Sequence, residues 1–496
     1  MTTDKTSIAS AFEPWGLREE CGVFGVWGCA DDALPFVILG LHALQHRGQE
    51  GVGIVTNDGG DFAAQLDAGL VSDVFSAGRV DPGGLPGGSA IGHVRYATSG
   101  SDDVSNLQPI LQRTKRGPLA LAHNGNLTNA DVIRQQLLDK GSLFHSDSDT
   151  EVAMHLITRS DRESNVDAID DALGDLEGAY SFLLLAPDAL IGVRDPYGMR
   201  PLTIGCLDGM YILSSESCAI QAVGGDVIRD VRPGEMVVIS DAGIESRQLS
   251  HMEKQPEKLC VFEYIYFMRP HTIFGDRHAA TVRERIGAKL FEESHAESDI
   301  VIPVPESGVH AAVGYAEAAK LPFRWAIQKS PYVGRTFIEP TQSIRQFGVR
   351  LKLSVDQERI KGRRVTLVDD SIVRSTTMKK LIELVRAAGA EEVHIRISSP
   401  PFAFPCFYGI DTPDSKELIA ASHSVEEIRQ LIGADTLAYI SAEGLRAAVN
   451  GTHGEVGFCD ACFTGNYPVP LVDRHMQNKL AGTSALFATD AGGPLL

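Results

Sequence analysis

The sequence predicts two domains of different fold class, a layered α+β domain followed by an α/β domain with an open parallel sheet. Short strands with few helical segments fill the first half, whereas in the second half continuous apolar strands alternate with helical patterns. Strands that are apolar on both faces are typical of parallel sheets covered by helices. The pattern changes near EKQPEKL at 253–259, and 496 residues are too many for a single core.

The first half opens with residues 1–20, which we interpret as a leader and which lack the basic start and apolar centre of a secretory signal. From Cys21 the pattern is strand, helix and strand: CGVFGVWG is β-prone, ALPFVILGLHALQHRG has helical apolar spacing that stops at a glycine, and GVGIVTN is β-prone again. Further strands are predicted at SAIGHVRYAT, PLALAHNG, YSFLLLA, RPLTIG and MYILSS, with a helix at TEVAMHLITRS.

The second half contains the apolar strands DIVIPVP, RVTLVDD and EVHIRISS, separated by helical patterns such as TMKKLIELVRAAGA. The end of the chain is rich in Ala, Gly and Thr and is predicted to be loosely held. We therefore predict a leader at 1–20, a first domain at 21–255, a second domain at 256–475 and a tail at 476–496.

Composition limits the possible partners. The formal net charge of −20 argues against nucleic acid or an anionic membrane as a partner, although a local basic patch can still bind a phosphorylated ligand. No apolar stretch approaches the roughly 20 residues that cross a bilayer, so we expect a cytoplasmic protein. The eight cysteines of such a chain are expected in the core, in catalysis or in metal binding rather than in disulfides.

The stretch RVTLVDDSIVRSTTMKKLIELV at 364–385 predicts a phosphate site. An apolar strand ends at Asp369 and Asp370, and a loop of Ser, Arg and Thr leads directly into a helix. Ligands of open α/β sheets bind at this end of the strands, and a helix N-terminus binds anions. Two carboxylates beside such a loop suit ribose hydroxyls and Mg²⁺.

This stretch resembles the phosphoribosyl-pyrophosphate signature of type I phosphoribosyltransferases. The resemblance implies that the acidic pair binds the ribose hydroxyls and that the following loop holds the 5′-phosphate. The loop residues concerned are Ser371, Arg374, Ser375, Thr376 and Thr377. Close relatives usually have glycine where Ser375 stands, and a positive φ at that position would strain a serine.

Two further stretches support a phosphate site. Residues 324–352 hold four arginines and two lysines against one glutamate, which predicts a basic loop that closes over pyrophosphate, with Lys329 and Arg335 as candidates. The alternative is a solvated loop. In VIPVPESGVHAA at 301–312, Ser307 is a candidate contact to the metal or to pyrophosphate.

Cys21 opens the apolar run CGVFGVWG, and no neighbouring histidine is available to activate its thiol. An N-terminal amine could serve as the base, because its pKa lies near 7.7–8.0. This requires cleavage after Glu20, so that Cys21 becomes the first residue. The alternative is a structural cysteine in the core.

Candidate partners of Cys21 follow in HVRYAT, AHNGNLTN and SDSDTE. Arg95 can bind a carboxylate through two hydrogen bonds, and Asp149 can form an ion pair with an α-ammonium group. Asn124 and the Gly125 N–H can stabilise an oxyanion. With CGVFG and HRGQE, these motifs resemble the glutaminase domain of the N-terminal-nucleophile (Ntn) amidotransferases. The resemblance implies a four-layer Ntn-hydrolase fold and a glutaminase reaction.

The glutaminase domain is shared by several enzymes, and the domain that follows sets the acceptor. Here the order of the two domains resembles the glutamine phosphoribosylpyrophosphate amidotransferases. The resemblance implies formation of 5-phosphoribosylamine, glutamate and pyrophosphate from glutamine, water and phosphoribosyl pyrophosphate, the opening step of purine biosynthesis. It also implies a homotetramer and feedback inhibition by purine nucleotides.

Four cysteines, Cys260, Cys406, Cys459 and Cys462, are candidate metal ligands. Their spacing does not separate zinc from an iron–sulfur cluster, and unrelated buried cysteines are a further alternative. The surrounding residues resemble the subgroup of this family that carries a [4Fe–4S] cluster and is made with a cleaved leader.

Two alternatives to the predicted function remain at this point. One is a non-catalytic sensor that binds phosphoribosyl pyrophosphate, which intact glutaminase motifs disfavour. The other is an amidotransferase for a different acceptor, which the acidic pair and its hydroxyl loop disfavour.

Overall fold

The structure is a computed structural model that describes residues 21–75, 84–96, 104–250, 255–329, 353–412, 415–452 and 456–481. The predicted leader, Arg335 and the end of the predicted tail lie outside these residues. In the part of the chain that is described, no helix is long and apolar enough to cross a membrane.

The first part of the chain forms two antiparallel sheets. Its strands are β1 (Gly22–Trp27), β2 (Gly51–Asp58), β3 (Asp61–Ala68), β4 (Ser89–Arg95), β5 (Ile110–Thr114), β6 (Gly117–Leu127), β7 (Gly178–Ala186), β8 (Ala189–Arg194), β9 (Thr203–Leu207), β10 (Met210–Ser214), β11 (Asp226–Asp230), β12 (Glu235–Ser240) and β13 (Gly243–Gln248). One sheet has seven strands in the order β11-β9-β10-β1-β4-β2-β3, and the other has six in the order β13-β12-β8-β7-β6-β5.

Helices cover the outer faces of both sheets. They are α1 (Leu34–Ala43), α2 (Val71–Val74), α3 (Ala130–Asp139), α4 (Asp149–Arg159), α5 (Asn165–Leu173) and α6 (Ser217–Ala222). Val23 of β1 and Leu183 of β7 pack between the sheets, whereas Phe24 packs outward against Val37 and Leu41 of α1. Alternate residues of each strand thus face different layers, which gives the four layers that the resemblance implied.

The second part is built on a four-stranded parallel sheet in the order β17-β20-β21-β22. The strands of this part are β14 (Leu259–Cys260), β15 (Ile273–Phe274), β16 (Arg277–His278), β17 (Ile300–Pro303), β18 (Ile327–Lys329), β19 (Leu353–Val355), β20 (Arg364–Asp369), β21 (Glu392–Ile397), β22 (Thr436–Tyr439) and β23 (Phe458–Cys459). A π-helical turn at Glu263–Phe267 precedes the sheet.

Helices lie on both faces of the parallel sheet, as its apolar strands predict. They are α7 (Ala279–Glu293), α8 (Val309–Ala319), α9 (Gln357–Ile360), α10 (Ser375–Ala387), α11 (Val425–Ile432) and α12 (Ala442–Asn450), and two more follow, α13 (Ala461–Thr464) and α14 (Arg474–Ala481). Local chemistry sets their ends. Ser424 and Glu427 form a capping box at the start of α11, and Gly433 ends that helix at φ +77°.

A buried group of charges joins the two parts. Arg47 donates to Glu216 at 2.7 Å and to Glu263 at 2.6 Å, and a nitrogen of Arg200 lies 3.6 Å from Glu263. All four side chains are fully buried. Arg47 also donates to the carbonyl oxygen of Cys21 at 3.3 Å. We call Arg47, Arg200, Glu216 and Glu263 the interdomain charge group.

Candidate active sites and cysteine centre

Cys21 lies immediately before β1 and is 8% exposed. Its Sγ donates to the carbonyl oxygen of Tyr96 at 3.4 Å. Burial raises the pKa of the thiol to about 11, although the positive charge of Arg95 acts in the opposite direction. A thiol with this pKa is protonated at neutral pH and is a poor nucleophile.

The two predicted glutamine-binding residues lie close enough for their charges to act on this thiol. Arg95 is the last residue of β4, which pairs with β1, and Asp149 is the first residue of α4. Their charges act on Cys21 in opposite directions, since Arg95 lowers the pKa of the thiol and Asp149 raises it. A cation and an anion beside one thiol match the carboxylate and ammonium groups of an α-amino acid.

Asp149 is held in its ionised form. Its Oδ2 accepts a hydrogen bond from the Leu127 N–H at 2.9 Å, and its Oδ1 lies 3.6 Å from Nδ1 of His123. Burial alone would raise the pKa of Asp149, but His123 and the N–H groups of Leu127 and Thr150 outweigh it, so the pKa is lowered. The sequence motifs did not single out His123, although it lies in the quoted AHNGNLTN.

Asn124 and Gly125 lie near the end of β6. Asn124 is fully buried, and neither its side-chain nitrogen nor its oxygen has a hydrogen-bond partner among the described residues. Buried polar groups are costly when unpaired, which favours a ligand as the partner. Gly125 has φ +144°, and a Cβ there would lie 2.0 Å from the Ala179 carbonyl oxygen, so only glycine fits.

The predicted phosphate site lies at the carboxyl ends of β17 and β20. Ser307 follows β17, and its Oγ donates to Asp370 Oδ1 at 2.5 Å. Ser371 donates to the other oxygen of Asp370 at 2.6 Å. Burial and the negative charge of Asp370 raise the pKa of Asp369 well above its usual value. Two crowded carboxylates and hydroxyl oxygens form a donor set that fits Mg²⁺.

Helix α10 begins at Ser375 directly after this loop, so Ser375, Thr376 and Thr377 form its first turn. Ser375 does not adopt a positive φ, since the described non-glycine residues that do so are Asp208, Asp276 and Lys320. Because Ser375 occupies a helical position, its replacement of the usual glycine introduces no backbone strain.

Two of the other phosphate-binding candidates, Arg374 and Lys329, have exposed side chains. Arg374 has extended backbone, and its side chain forms an exposed ion pair with Glu417. Lys329 ends the short strand β18, and its side chain is exposed. Arg335 and most of the basic loop lie outside the described residues.

The four candidate metal-binding cysteines converge on one cavity. β14 and β23 pair in parallel, which places Cys260 opposite Cys459. Cys406 and Cys462 line the same cavity, and none of the four forms a disulfide bond with another described residue. The other lining residues are Met199, Tyr408, Ile410, Ala461 and Tyr467. A four-thiol cavity with a mostly apolar wall fits a thiolate-ligated metal centre.

Comparison with known proteins identifies the family. A model described as a glutamine amidotransferase domain matches residues 93–222, and one described as a phosphoribosyl transferase domain matches residues 277–398. The amidophosphoribosyltransferase of Bacillus subtilis is 49% identical over 459 residues, which cover 92% of this chain and 95% of that protein. The chain belongs to the amidophosphoribosyltransferase family. The amidophosphoribosyltransferase of Rhizobium etli is 47% identical over 475 residues, 94% of this chain and 95% of that protein.

Solved amidotransferase structures agree with this assignment. The glutamine phosphoribosylpyrophosphate amidotransferase of B. subtilis, complexed with ADP and GMP, is 48% identical, with a TM-score of 0.86 over 92% of this chain and 98% of that chain. A structure of "the allosteric regulatory enzyme of purine biosynthesis" is 47% identical, with a TM-score of 0.87 over 93% and 99% of the two chains.

As a member of the amidophosphoribosyltransferase family, the chain is an enzyme that uses glutamine and phosphoribosyl pyrophosphate in the first step of purine biosynthesis. The predicted family, fold class and reaction are confirmed. A sensor without catalysis and an enzyme for another acceptor are the alternatives that these findings disfavour.

Proposed function

We propose that Cys21 is the nucleophile of the glutamine half-reaction, with Arg95 and Asp149 binding glutamine and Asn124 and Gly125 stabilising the oxyanion. The observation that carries this proposal is that the charges of Arg95 and of the ionised Asp149 both act on the Cys21 thiol, together with that of Glu50. The unpartnered amide of Asn124 supports it, because a tetrahedral oxyanion supplies the acceptor that this buried group lacks.

Removal of residues 1–20 activates the thiol. In the uncleaved chain the Cys21 nitrogen is an amide, and the buried thiol keeps its proton. After cleavage the same nitrogen is an amine with a pKa near 7.7–8.0, and it can accept the thiol proton at neutral pH. The leader thus keeps the glutaminase inactive until it is removed.

The glutamine half-reaction then balances in two steps. The Cys21 sulfur attacks the side-chain amide carbon of glutamine, and its proton passes to the Cys21 α-amine. The resulting α-ammonium group of Cys21 gives this proton to the leaving nitrogen, so that ammonia and a glutamyl thioester form. Water, deprotonated by the same amine, attacks the thioester and releases glutamate and the thiol. Arg95 and Asp149 hold the substrate through both steps, which is an entropic contribution to the rate.

In the second domain, we propose that Asp369 and Asp370 bind the ribose hydroxyls of phosphoribosyl pyrophosphate. The loop and first helical turn hold the 5′-phosphate through Ser371, Arg374, Ser375, Thr376 and Thr377, while Lys329 and Arg335 contact pyrophosphate. Ammonia attacks the ribose C1 and pyrophosphate leaves from the opposite face. Ser307, Asp369 and Asp370 would hold Mg²⁺, which when bound neutralises charge that develops on pyrophosphate.

We propose further that Cys260, Cys406, Cys459 and Cys462 hold a [4Fe–4S] cluster with a structural role. The cavity joins segments that are far apart in sequence and packs against Met199 of the first part. The reaction itself contains no redox step, so the cysteines stabilise the arrangement of the domains.

The remaining properties follow the family. We propose domain boundaries at 21–255 and 256–475, a cytoplasmic location and assembly as a homotetramer. The B. subtilis structure complexed with ADP and GMP supports feedback inhibition of this chain by purine nucleotides.

Two variants test the assignment of the half-reactions. Cys21→Ala removes the nucleophile and leaves the second domain intact, so formation of phosphoribosylamine should fail with glutamine and persist with ammonium salts. Asp370→Asn should abolish synthesis from both nitrogen sources. Pyrophosphate release with each nitrogen source is the measurement.

The opposite pattern would overturn the assignment. Glutamine-supported synthesis by Cys21→Ala would show that another group attacks the amide. Undiminished ammonia-supported synthesis by Asp370→Asn would show that the acidic pair does not bind the ribose.

A further inference from the structure

A turn of the second part of the chain, residues 407–409, lies against the strand that carries the oxyanion residues. The Nδ2 of Asn126, on β6, donates to the carbonyl oxygen of Phe407 at 2.9 Å. Arg200 donates through Nε to the carbonyl oxygen of Tyr408 at 2.8 Å. Two side chains of the first part therefore bind two successive carbonyls of this turn.

The third residue of the turn touches the oxyanion strand itself. Gly409 has φ +116°, and a Cβ there would lie 3.2 Å from both the Cα and the carbonyl carbon of Gly125. On β7, the neighbouring strand, the carbonyl oxygen of Ala179 lies 2.0 Å from the position that a Cβ on Gly125 would occupy. The backbone of Gly125 is thus confined between β7 and the 407–409 turn.

The turn is itself anchored within the second part. Tyr408 Oη donates to the Val469 carbonyl at 2.8 Å and accepts from the Val469 N–H at 3.1 Å. The Cys406 N–H donates to the Thr412 hydroxyl at 3.0 Å. A turn held on both sides can fix the position of a backbone that packs against it.

We propose that Asn126 and Gly409 are positioning residues for the glutamine half-reaction, and that the 407–409 turn sets the geometry of the oxyanion site from the second domain. The inference rests on the proposed roles of Asn124 and Gly125. Oxyanion donors act only within a few tenths of an ångström of their best distance, and a misplacement of about 1 Å can cost 10²-fold in rate. The Asn126 side chain joins β6 to the 407–409 turn by a hydrogen bond, and Gly409, which has no Cβ, lets the turn pack closely against Gly125.

The first test is Asn126→Ala, with Asn129→Ala as the matched control. Asn129 lies three residues further on and makes similar hydrogen bonds, to Asp175 at 2.9 Å and from Glu177 at 3.1 Å, but within the first part only. We expect Asn126→Ala to lower kcat for glutamine hydrolysis about tenfold or more with an unchanged KM. Asn129→Ala should retain kcat.

Two readouts separate positioning from damage to the fold. Ammonia-supported synthesis does not use the oxyanion site and should stay unchanged in Asn126→Ala. Alkylation of Cys21 by iodoacetamide forms no oxyanion, so its rate should also stay unchanged. Gly409→Ala should show the same pattern with a larger loss, because its methyl group would lie 2.8 Å from a nitrogen of Arg200 and 3.2 Å from the backbone of Gly125. Should either variant fold poorly, Asn126→Asp keeps the side-chain volume and replaces the donor with a carboxylate oxygen that the Phe407 carbonyl repels, so the same pattern is expected.

An unchanged kcat for glutamine in Asn126→Ala would overturn the inference. So would an equal loss of glutamine hydrolysis, ammonia-supported synthesis and Cys21 alkylation, since that indicates a structural role. Cys21→Ala in the same assays reports separately on the proposed nucleophile. If Cys21→Ala retains glutamine hydrolysis, the proposed function fails, whatever Asn126→Ala shows.

Discussion

At the scale of single residues, burial decides what Cys21 can do. A buried thiol whose pKa is raised to about 11 has almost no thiolate at neutral pH. Because only the thiolate attacks, reactivity in an uncleaved chain rises as the pH approaches this value. A free α-amine on Cys21 shifts this increase in reactivity to the pH range in which the amine loses its proton.

This difference is measurable by alkylation. We expect a chain that begins at Cys21 to react with iodoacetamide at that residue with a pH midpoint near 7.7–8.0. A form with one alanine placed before Cys21 should react slowly below about pH 9. Mass spectrometry of the Cys21 peptide gives both profiles, and identical profiles would show that the amine does not activate the thiol.

Asp149 gives a second prediction at this scale. Because its pKa is lowered, its carboxylate is charged at neutral pH and can bind the substrate ammonium group. Asp149→Asn should raise KM for glutamine at least about tenfold and leave ammonia-supported synthesis unchanged. Asp147 lies two residues before Asp149 and is exposed, so Asp147→Asn is the control. An unchanged KM would remove Asp149 from the glutamine site.

The motifs of Cys21, Arg95 and Asp149 are far apart in sequence, and in the structure the charges of Arg95 and Asp149 both act on the Cys21 thiol. Their roles in binding and catalysis stay predictions. His123 was missed because its contact with Asp149 depends on the packing of β6 against α4. Asn126 and Gly409 were missed for the same reason, since they meet across the domain junction and no pattern within either segment shows it.

At the scale of elements, the start of α10 settles the question about Ser375. A helix permits serine at its first position, so the usual glycine offers no advantage in backbone conformation here. The sequence predicted the strand, loop and helix correctly, because apolar runs and hydroxyl-rich starts are local signals. The conformation of one residue within the loop needed the structure.

Ser375→Gly tests this reading. Glycine loses more backbone entropy on folding, so we expect the variant to be less stable by up to about 0.5–1 kcal/mol. Chemical denaturation monitored by circular dichroism is the measurement. A clear gain in stability would instead show that the serine is strained in the native chain.

At the scale of the whole molecule, the interdomain charge group couples the two parts. Arg47 contacts Glu216 in its own domain, Glu263 in the second domain and the carbonyl oxygen of Cys21, the proposed nucleophile. Arg47 belongs to HRGQE, one of the motifs that resemble the glutaminase domain, and it lies at the domain junction. Periodicity could not show this, because buried charges depend on partners that are distant in sequence.

Removing one charge of this group should be costly. Glu263→Gln leaves two buried arginines facing a single carboxylate, and breaking a buried pair costs about 3–5 kcal/mol. Glu245→Gln, in an exposed ion pair with Arg247, is the matched control and should change stability little. Unfolding of both variants by urea gives the comparison. Equal stability of the two variants would show that the group contributes nothing.

The central claim is that Cys21 acts as the nucleophile once it is the first residue of the chain. The most direct measurement is peptide mapping of the active enzyme after labelling with an electrophilic glutamine analogue. We predict one labelled peptide that begins at Cys21 and carries the analogue on its sulfur, with loss of glutamine-supported synthesis. A fully active enzyme that still carries Glu20, or a label on another cysteine, would contradict the account.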